Sequence, residues 1–225
     1  MTRCLDIFLS GMAILLLLPV LVPVIVILKF TGEGEVFFVQ ERIVWGGQVF
    51  GLLKFATMLK SSPQIGTGTI TVRNDPRVLP VGRILRKTKI NELPQLLNVL
   101  LGDMSIIGPR PLTENHFNHY PTHSHRLICS VRPGLSGVGS IIFRDEERLL
   151  SNHDNPGDYY RDEIAPYKAL LEMWFVENRG VWLYLKCIFL TIWVIVFSSS
   201  NIAFEAFKSL PQPLGQLKID LEAMK

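Results

Sequence analysis

The sequence predicts an α+β domain, mostly helical with short strands, attached to a membrane. Three observations lead there. An uncharged apolar run extends from Ile7 to Leu28, in a 225-residue chain of which only 19% is charged, against about 25% in an ordinary soluble domain. Two short apolar runs, residues 36–39 and 49–53, flank Gly46-Gly47, the pattern of a strand pair joined by a turn. Helical periodicity marks much of the remainder, most clearly near residues 93–100 and 163–178.

The length suits one domain with an appendage: a membrane helix over residues 1–31, a globular domain over 32–197 and a tail over 198–225. A net charge of +3 and a pI near 8.8 suit anionic lipid or a phosphate-bearing substrate. They are too weak to indicate nucleic acid. Cys4, Cys129 and Cys187 are odd in number and far apart, which excludes a disulfide framework or a CxxC metal site and points to a reducing compartment.

Taken in order, the apolar run of 22 residues just crosses a hydrocarbon core of about 30 Å. It is longer than the ~7–15 residues of a signal-peptide core, and no A-x-A site follows. Pro19 and Pro23 each remove a backbone donor near its middle, so the helix is expected to kink or break there. Either a kinked span or a broken helix that turns back to its face of entry satisfies that expectation. Ser61 to Thr71 reads as a loop and Val81 to Lys89 as a basic segment. Asn91 is placed to cap a helix with Pro94 in its first turn, an apolar stripe of Leu93, Leu96, Leu97 and Leu100, and Gly102 as its stop.

Further on, Glu163 to Asn178 forms a second helix, with Ile164, Tyr167, Leu171 and Trp174 on one face. Trp182 to Phe197 is apolar but only 16 residues long. Its tryptophans and Tyr184 suit a helix lying in the plane of the interface, or one of a packed core pair. The tail, with Pro211 and Pro213, is expected to be loosely ordered. Four histidines (His116, His119, His123, His125) have spacing that a metal would need, but Pro121 interrupts them and a solvated loop is the expectation.

The chemistry concentrates between Asn74 and Arg110. Asn74-Asp75-Pro76-Arg77 is a turn presenting an acid and a base. Arg83, Arg86, Lys87 and Lys89 supply cations, and Asn91-Glu92 opens the leucine-striped helix. Gly102-Asp103-Met104-Ser105 leads on to Gly108-Pro109-Arg110-Pro111. A helix N-terminus and forked guanidinium donors favour phosphate. A carboxylate beside bound phosphates suits Mg²⁺, which takes one or two carboxylates plus substrate oxygens.

The order of these pieces has a wider meaning. Arg3-x-x-Asp6, the proline-interrupted run, Phe38-Val39-Gln40-Glu41-Arg42, Lys54-Phe55-Ala56-Thr57-Met58, Asp75-Pro76-Arg77-Val78, Gly82-Arg83-x-Leu85-Arg86-Lys87-Thr88, Asn91-Glu92-Leu93-Pro94-Gln95-Leu96, Gly102-Asp103-Met104-Ser105, Gly108-Pro109-Arg110-Pro111 and Arg132-Pro133-Gly134 follow one another. Together they resemble the bacterial sugar transferase family, the monotopic phosphoglycosyl transferases, from Arg3 to about Thr191.

The resemblance implies transfer of a sugar-1-phosphate from a UDP-sugar to polyprenyl (undecaprenyl) phosphate. The products would be UMP and a polyprenyl-diphosphate-linked sugar, the first intermediate of a surface polysaccharide or glycoconjugate. It also implies Mg²⁺, a re-entrant N-terminal helix, in-plane interfacial helices and a catalytic domain on the cytoplasmic face of the bacterial inner membrane. Its partners would be UDP-sugar, polyprenyl phosphate and membrane lipid.

By the same resemblance, the catalytic candidates are Asn91, Glu92 and Asp103, with Glu92 also the metal ligand, and Arg83, Arg86, Lys87 and Arg110 bind substrate phosphate. Three positions depart from the family pattern. Asn91 stands where the nucleophilic aspartate is usual, Ala56 where an arginine is usual, and Leu18, before Pro19, where some relatives have serine. A carboxamide is a poor nucleophile. This leaves three routes: another carboxylate (Glu92, Asp103 or Asp75) attacks, the acceptor phosphate attacks directly, or the chain is a catalytically impaired homologue acting as a binding or scaffold protein.

Overall fold

The computed structural model describes residues 2–43, 45–62, 75–197, 202–207 and 209–223. Residues 63–71 of the expected loop, and Asn74, lie outside that set.

Helix α1 (Thr2–Phe30) is one continuous helix through both Pro19 and Pro23. Of the kink or break expected there, a break is absent. Each proline removes a single i→i−4 bond, and the bonds of its neighbours carry the helix across. The two ends of α1 are docked and its middle is not. Near the start, Asp6 is 2% exposed and Ser10 fully buried, and near the end Val24 and Leu28 are buried. Between them Leu15 and Leu16 are 69% and 71% exposed.

Strands β1 (Phe37–Ile43) and β2 (Val49–Phe55) form the expected antiparallel hairpin, with Phe38 opposite Lys54 and Gln40 opposite Leu52. Gly46 and Gly47 make its turn at φ 73° and 76°, a region where a side chain would be strained. The basic segment forms helix α2 (Pro80–Lys87), with Pro80 preset for the first turn. A Cβ on Gly82 would lie 2.2 Å from the Thr57 carbonyl oxygen, so α2 approaches the end of β2 this closely because residue 82 has no side chain.

Asn91 does not cap the next helix. It sits in a one-turn 3-10 segment, Ile90–Glu92, and helix α3 (Gln95–Leu101) begins three residues after it, ending at Gly102 as expected. That extra turn resets the phase of the leucine stripe. The buried face is Gln95, Leu96, Asn98 and Val99, while Leu97 is 41% exposed. Asn98 ties α3 to the hairpin: its Oδ1 accepts from the Leu53 N–H (3.0 Å) and its Nδ2 donates to Gly51 O (2.9 Å).

Strand β3 (Ser105–Ile107) follows, then helices α4 (Glu114–Asn118) and α5 (Thr122–Ile128), and β4 (Gly134–Ser136), which pairs with β3 in parallel. Next come α6 (Val138–Ile142), α7 (Glu146–Ser151) and α8 (Pro156–Tyr159). A π-turn (Tyr160–Ile164) leads into α9 (Ala165–Glu177), as the periodicity anticipates, with Ile164, Tyr167 and Leu171 buried.

Helix α10 (Val181–Val196) buries Tyr184, Cys187, Leu190 and Val194 and exposes Trp182, Phe189, Ile192 and Ile195. The tail is more ordered than expected. It forms α11 (Ile202–Ala206) and α12 (Gly215–Ala223), whose Leu217 and Leu221 enter the main core. Tyr159 and His153 both bond Asp220 of α12, and the Tyr167 hydroxyl donates to Pro211 O (2.9 Å). The three cysteines are free.

Candidate active site

The two ends of α3 collect most of the charge discussed above. At its C-terminal end, the Arg3 guanidinium donates to the carbonyls of Val99 (2.5 Å) and Leu100 (2.9 Å), which a helix end otherwise leaves unpaired. Asp6 accepts from Ser105 Oγ (2.8 Å), the Ile106 N–H (2.9 Å) and the Tyr184 hydroxyl (2.7 Å). Asp103 is exposed here and takes a bond from Asn98 Nδ2 (3.2 Å). It lies a helix length from Glu92 and does not join it.

At the other end a single non-glycine residue in the left-handed region, Lys89 (φ 60°), turns the chain out of α2 into the 3-10 segment. Strain of this kind often marks functional sites. The turn delivers Asn91, 7% exposed, with an Oδ1 that is sealed and without a partner. It also places the Glu92 carboxylate 3.2 Å from Arg110 Nη2. Burial pushes the Glu92 carboxyl up, but Arg110, Lys54 and Lys89 outweigh it and hold it at about 2.

Lys54 and Arg42 complete the cluster. Gln40 Oε1 accepts from Arg42 Nη2 (2.6 Å) and Lys54 Nζ (3.5 Å). Burial, with Arg42 and Arg110 adding to it against the pull of Glu92, brings Lys54 down to about 7. Burial and Arg110 bring Arg42 down to about 10, and its Nε has no partner.

Behind Arg110 stands Glu172, 2% exposed, whose Oε1 accepts the Arg110 backbone N–H (3.3 Å) and whose Oε2 is unpartnered. Burial raises this carboxyl to about 7. A Cβ on Gly139 would lie 2.5 Å from Glu172 Oε1. Alongside, Lys168 pairs with Glu146 at 2.7 Å.

Arg42, Lys54, Lys89, Asn91, Glu92, Arg110, Glu146 and Lys168 line one open cleft of about 2190 Å³, while Glu172 stays behind its wall. Arg83 and Lys87 face it from the exposed side of α2, and Arg86 is paired with Glu147 at 3.2 Å. Asp75 also lines it but is held by Arg77 at 2.6 Å. The histidine stretch is not a plain solvated loop. His116 bonds Thr113 Oγ1 (2.8 Å) and meets the Tyr160 ring edge-on at 4.9 Å, and burial and Arg42 hold it down to about 4. Among the described residues no three His, Cys, Asp or Glu side chains group as a metal cage.

Sequence reasoning singled out Glu92 and Arg110, which meet, and Arg83, Arg86 and Lys87, which rim the cleft. It missed Arg42, Lys54 and Glu172. Gln40 and Arg42 share one strand face by the period of two, and Lys168 and Glu172 share one helix face at i, i+4.

Comparison with known proteins adds the following. Residues 1–198 match the family described as bacterial sugar transferase. The exopolysaccharide production protein ExoY of Rhizobium meliloti is 35% identical over 158 residues, 64% of this chain and 70% of that protein. A UDP-glucose:undecaprenyl-phosphate glucose-1-phosphate transferase of Escherichia coli is 33% identical over 193 residues, 84% of this chain and 39% of that protein. A UDP-N-acetylgalactosamine-undecaprenyl-phosphate N-acetylgalactosaminephosphotransferase of Aeromonas hydrophila is 32% identical over 203 residues, 86% of this chain and 43% of that protein. The chain thus spans less than half the length of the last two.

Proposed function

Because the chain belongs to the bacterial sugar transferase family, a family of sugar-phosphate transferases, we propose that it moves a sugar-1-phosphate from a UDP-sugar to polyprenyl (undecaprenyl) phosphate, releasing UMP. The observation behind this reading is the Glu92–Arg110 pair in a cleft that also holds Lys54, Arg42 and Lys89. One carboxylate among these cations leaves surplus positive charge, which a diphosphate donor and a monophosphate acceptor would neutralise.

Asn91 sets the route. With no nucleophilic carboxylate at that position, an oxygen of the acceptor phosphate attacks the sugar-bearing phosphorus of the donor. The new P–O bond forms as the bond to UMP breaks, and the electron pair departs on the UMP phosphate. The acceptor arrives already ionised, so no proton has to be removed. Arg110 follows the non-bridging oxygens with its forked donors, since phosphoryl transfer depends mainly on positioning and electrostatics. Relocation of the nucleophile has less support: Asp75 is engaged by Arg77, Asp103 is remote, and Glu92 is held strongly acidic and bound by Arg110.

Glu92 and the unpartnered Asn91 Oδ1 suit Mg²⁺, which favours hard oxygen donors and substrate phosphates together. When bound, the ion would supply neutralisation of the diphosphate's charge. In the membrane, α1 does not span: it dips into the cytoplasmic leaflet of the bacterial inner membrane as one unbroken helix, with its exposed middle in the lipid. The docking of both its ends on one domain supports this. Helix α10 lies in the plane of the interface.

Direct transfer requires both substrates at once. UMP release across a UDP-sugar panel, with undecaprenyl phosphate and Mg²⁺, is expected only when donor and acceptor are both present. Intact-protein mass spectrometry with UDP-sugar alone should show no phosphosugar adduct. An adduct on residue 91 would overturn the direct route. Binding of UDP-sugar without turnover of any would favour the second reading, a catalytically impaired homologue, which Asn91 alone suggests.

A further inference from the structure

The cleft has a charged end and an apolar wall. The wall belongs to α10, which presents Ile188, Thr191, Ile192, Val194 and Ile195 to the cleft, four of them at the i, i+3, i+4, i+7 spacing of a single helix face. A second stripe, Tyr184, Cys187, Leu190 and Val194, is buried in the core, with Val194 at the border between the two, and Phe189, 56% exposed, is not among the cleft-lining residues. Ile192 and Ile195 are 59% and 54% exposed.

Thr191 is the one polar member of the cleft stripe, and its hydroxyl is engaged: it donates to Cys187 O (2.7 Å) and meets Ser136 Oγ (2.8 Å). Ser136 O in turn accepts the Gly108 N–H (2.9 Å), two residues before Arg110. The Arg144 guanidinium, also in the cleft, bonds Val194 O. The apolar stripe is thus fixed to the same β3–β4 pair that presents Arg110. An apolar track leading to a cationic cluster is complementary to an amphiphile with an anionic head.

Resting on the reaction proposed above, we infer that α10 is the track for the acceptor's prenyl chain. The chain lies along Ile188, Ile192 and Ile195, and its phosphate reaches Arg110, Lys54 and Arg42. The residues at 192 and 195 therefore select for acceptor length, and the outward stripe containing Phe189 faces bulk lipid.

The test uses the full chain with two acceptors, undecaprenyl phosphate and a short, water-soluble isoprenyl phosphate. Substitutions at exposed positions leave the core packing in place. Ile192→Asn with Ile195→Asn should raise KM for the long acceptor by about tenfold or more, because apolar contact along the chain is lost. KM for the UDP-sugar and KM for the short acceptor should stay within about twofold. Phe189→Asn should affect the two acceptors alike. An equal effect of the double substitution on both acceptors, or a match between it and Phe189→Asn, overturns the track.

If the unmodified chain turns over no UDP-sugar, the reaction proposed above fails instead. The track is then read by photolabelling with an undecaprenyl phosphate carrying a diazirine in its chain. Label mapped to residues 188–195 supports it, and label confined to other segments overturns it.

Discussion

The two ends of α3 use similar residues to opposite effect. At the C-terminal end, Arg3 and Asp6 are satisfied: Arg3 bonds two helix-end carbonyls, and Asp6 takes three donors. At the N-terminal end, Asn91 Oδ1 and Arg42 Nε lack partners, Lys54 is brought down to about 7 and Glu92 is held at about 2. Buried polar groups are normally paired, and leaving them unpaired costs stability. An end with spare hydrogen-bonding capacity awaits a ligand, whereas an end with none holds the structure together.

The sharpest way to break that contrast is to alter the unsatisfied end. Glu92→Gln and Arg110→Lys should each lower the UMP-release rate by about 10²–10³-fold, as losing an oriented charge does. Tm should fall with Glu92→Gln, whose strongly acidic carboxyl helps hold the folded state at neutral pH, and move less with Arg110→Lys, which keeps the charge. A large drop in Tm at near-normal rate would make this pair structural. The converse substitution, Asp6→Ala, strands three donors and should cost about 2–4 kcal/mol of stability, read as a drop in Tm in detergent or nanodiscs. The fraction that remains folded should keep its kcat.

A smaller effect belongs to Glu172, which stands between the two behaviours with one oxygen bonded and one free. Its carboxyl is raised to about 7, above the ordinary 4.5, so the folded protein holds this proton better than the unfolded chain does. The resulting stability is complete below pH ~4.5 and is lost as pH rises through about 7. Glu172→Gln should flatten the fall in Tm between pH 5.5 and 8 by several degrees. An unchanged pH profile would show that Glu172 does not titrate there. Smallest of all, Asp103→Asn should leave the rate within about twofold, and a loss as large as that of Glu92→Gln would move the site to the other end of α3.

What was legible in the sequence follows from how local each signal is. The β1–β2 hairpin could be read because its two apolar runs and Gly46-Gly47 lie within twenty residues. The long α9 could be read from its period. Glu92 and Arg110 were legible through the motifs that contain them, not through their distance in sequence. Arg42, Lys54 and Glu172 were missed because what gathers them is strand register and the packing of α9, which no local pattern encodes. The C-terminal helices were missed for a related reason. A nine-residue α12 is marginal alone and owes its order to the core it docks on. Asn91 was misplaced as a cap because one extra 3-10 turn intervenes.

The docking of α1 also has a dimension in time. Asp6 is synthesised well before one of its partners, Tyr184, which lies 178 positions later. At about 5–20 residues per second, that partner leaves the ribosome roughly 10–35 s after Asp6 does. Val99 and Leu100, which receive Arg3, come earlier in that interval. A segment made before its partners is therefore completed late, and until Tyr184 emerges the helix holds an aspartate whose last partner does not yet exist.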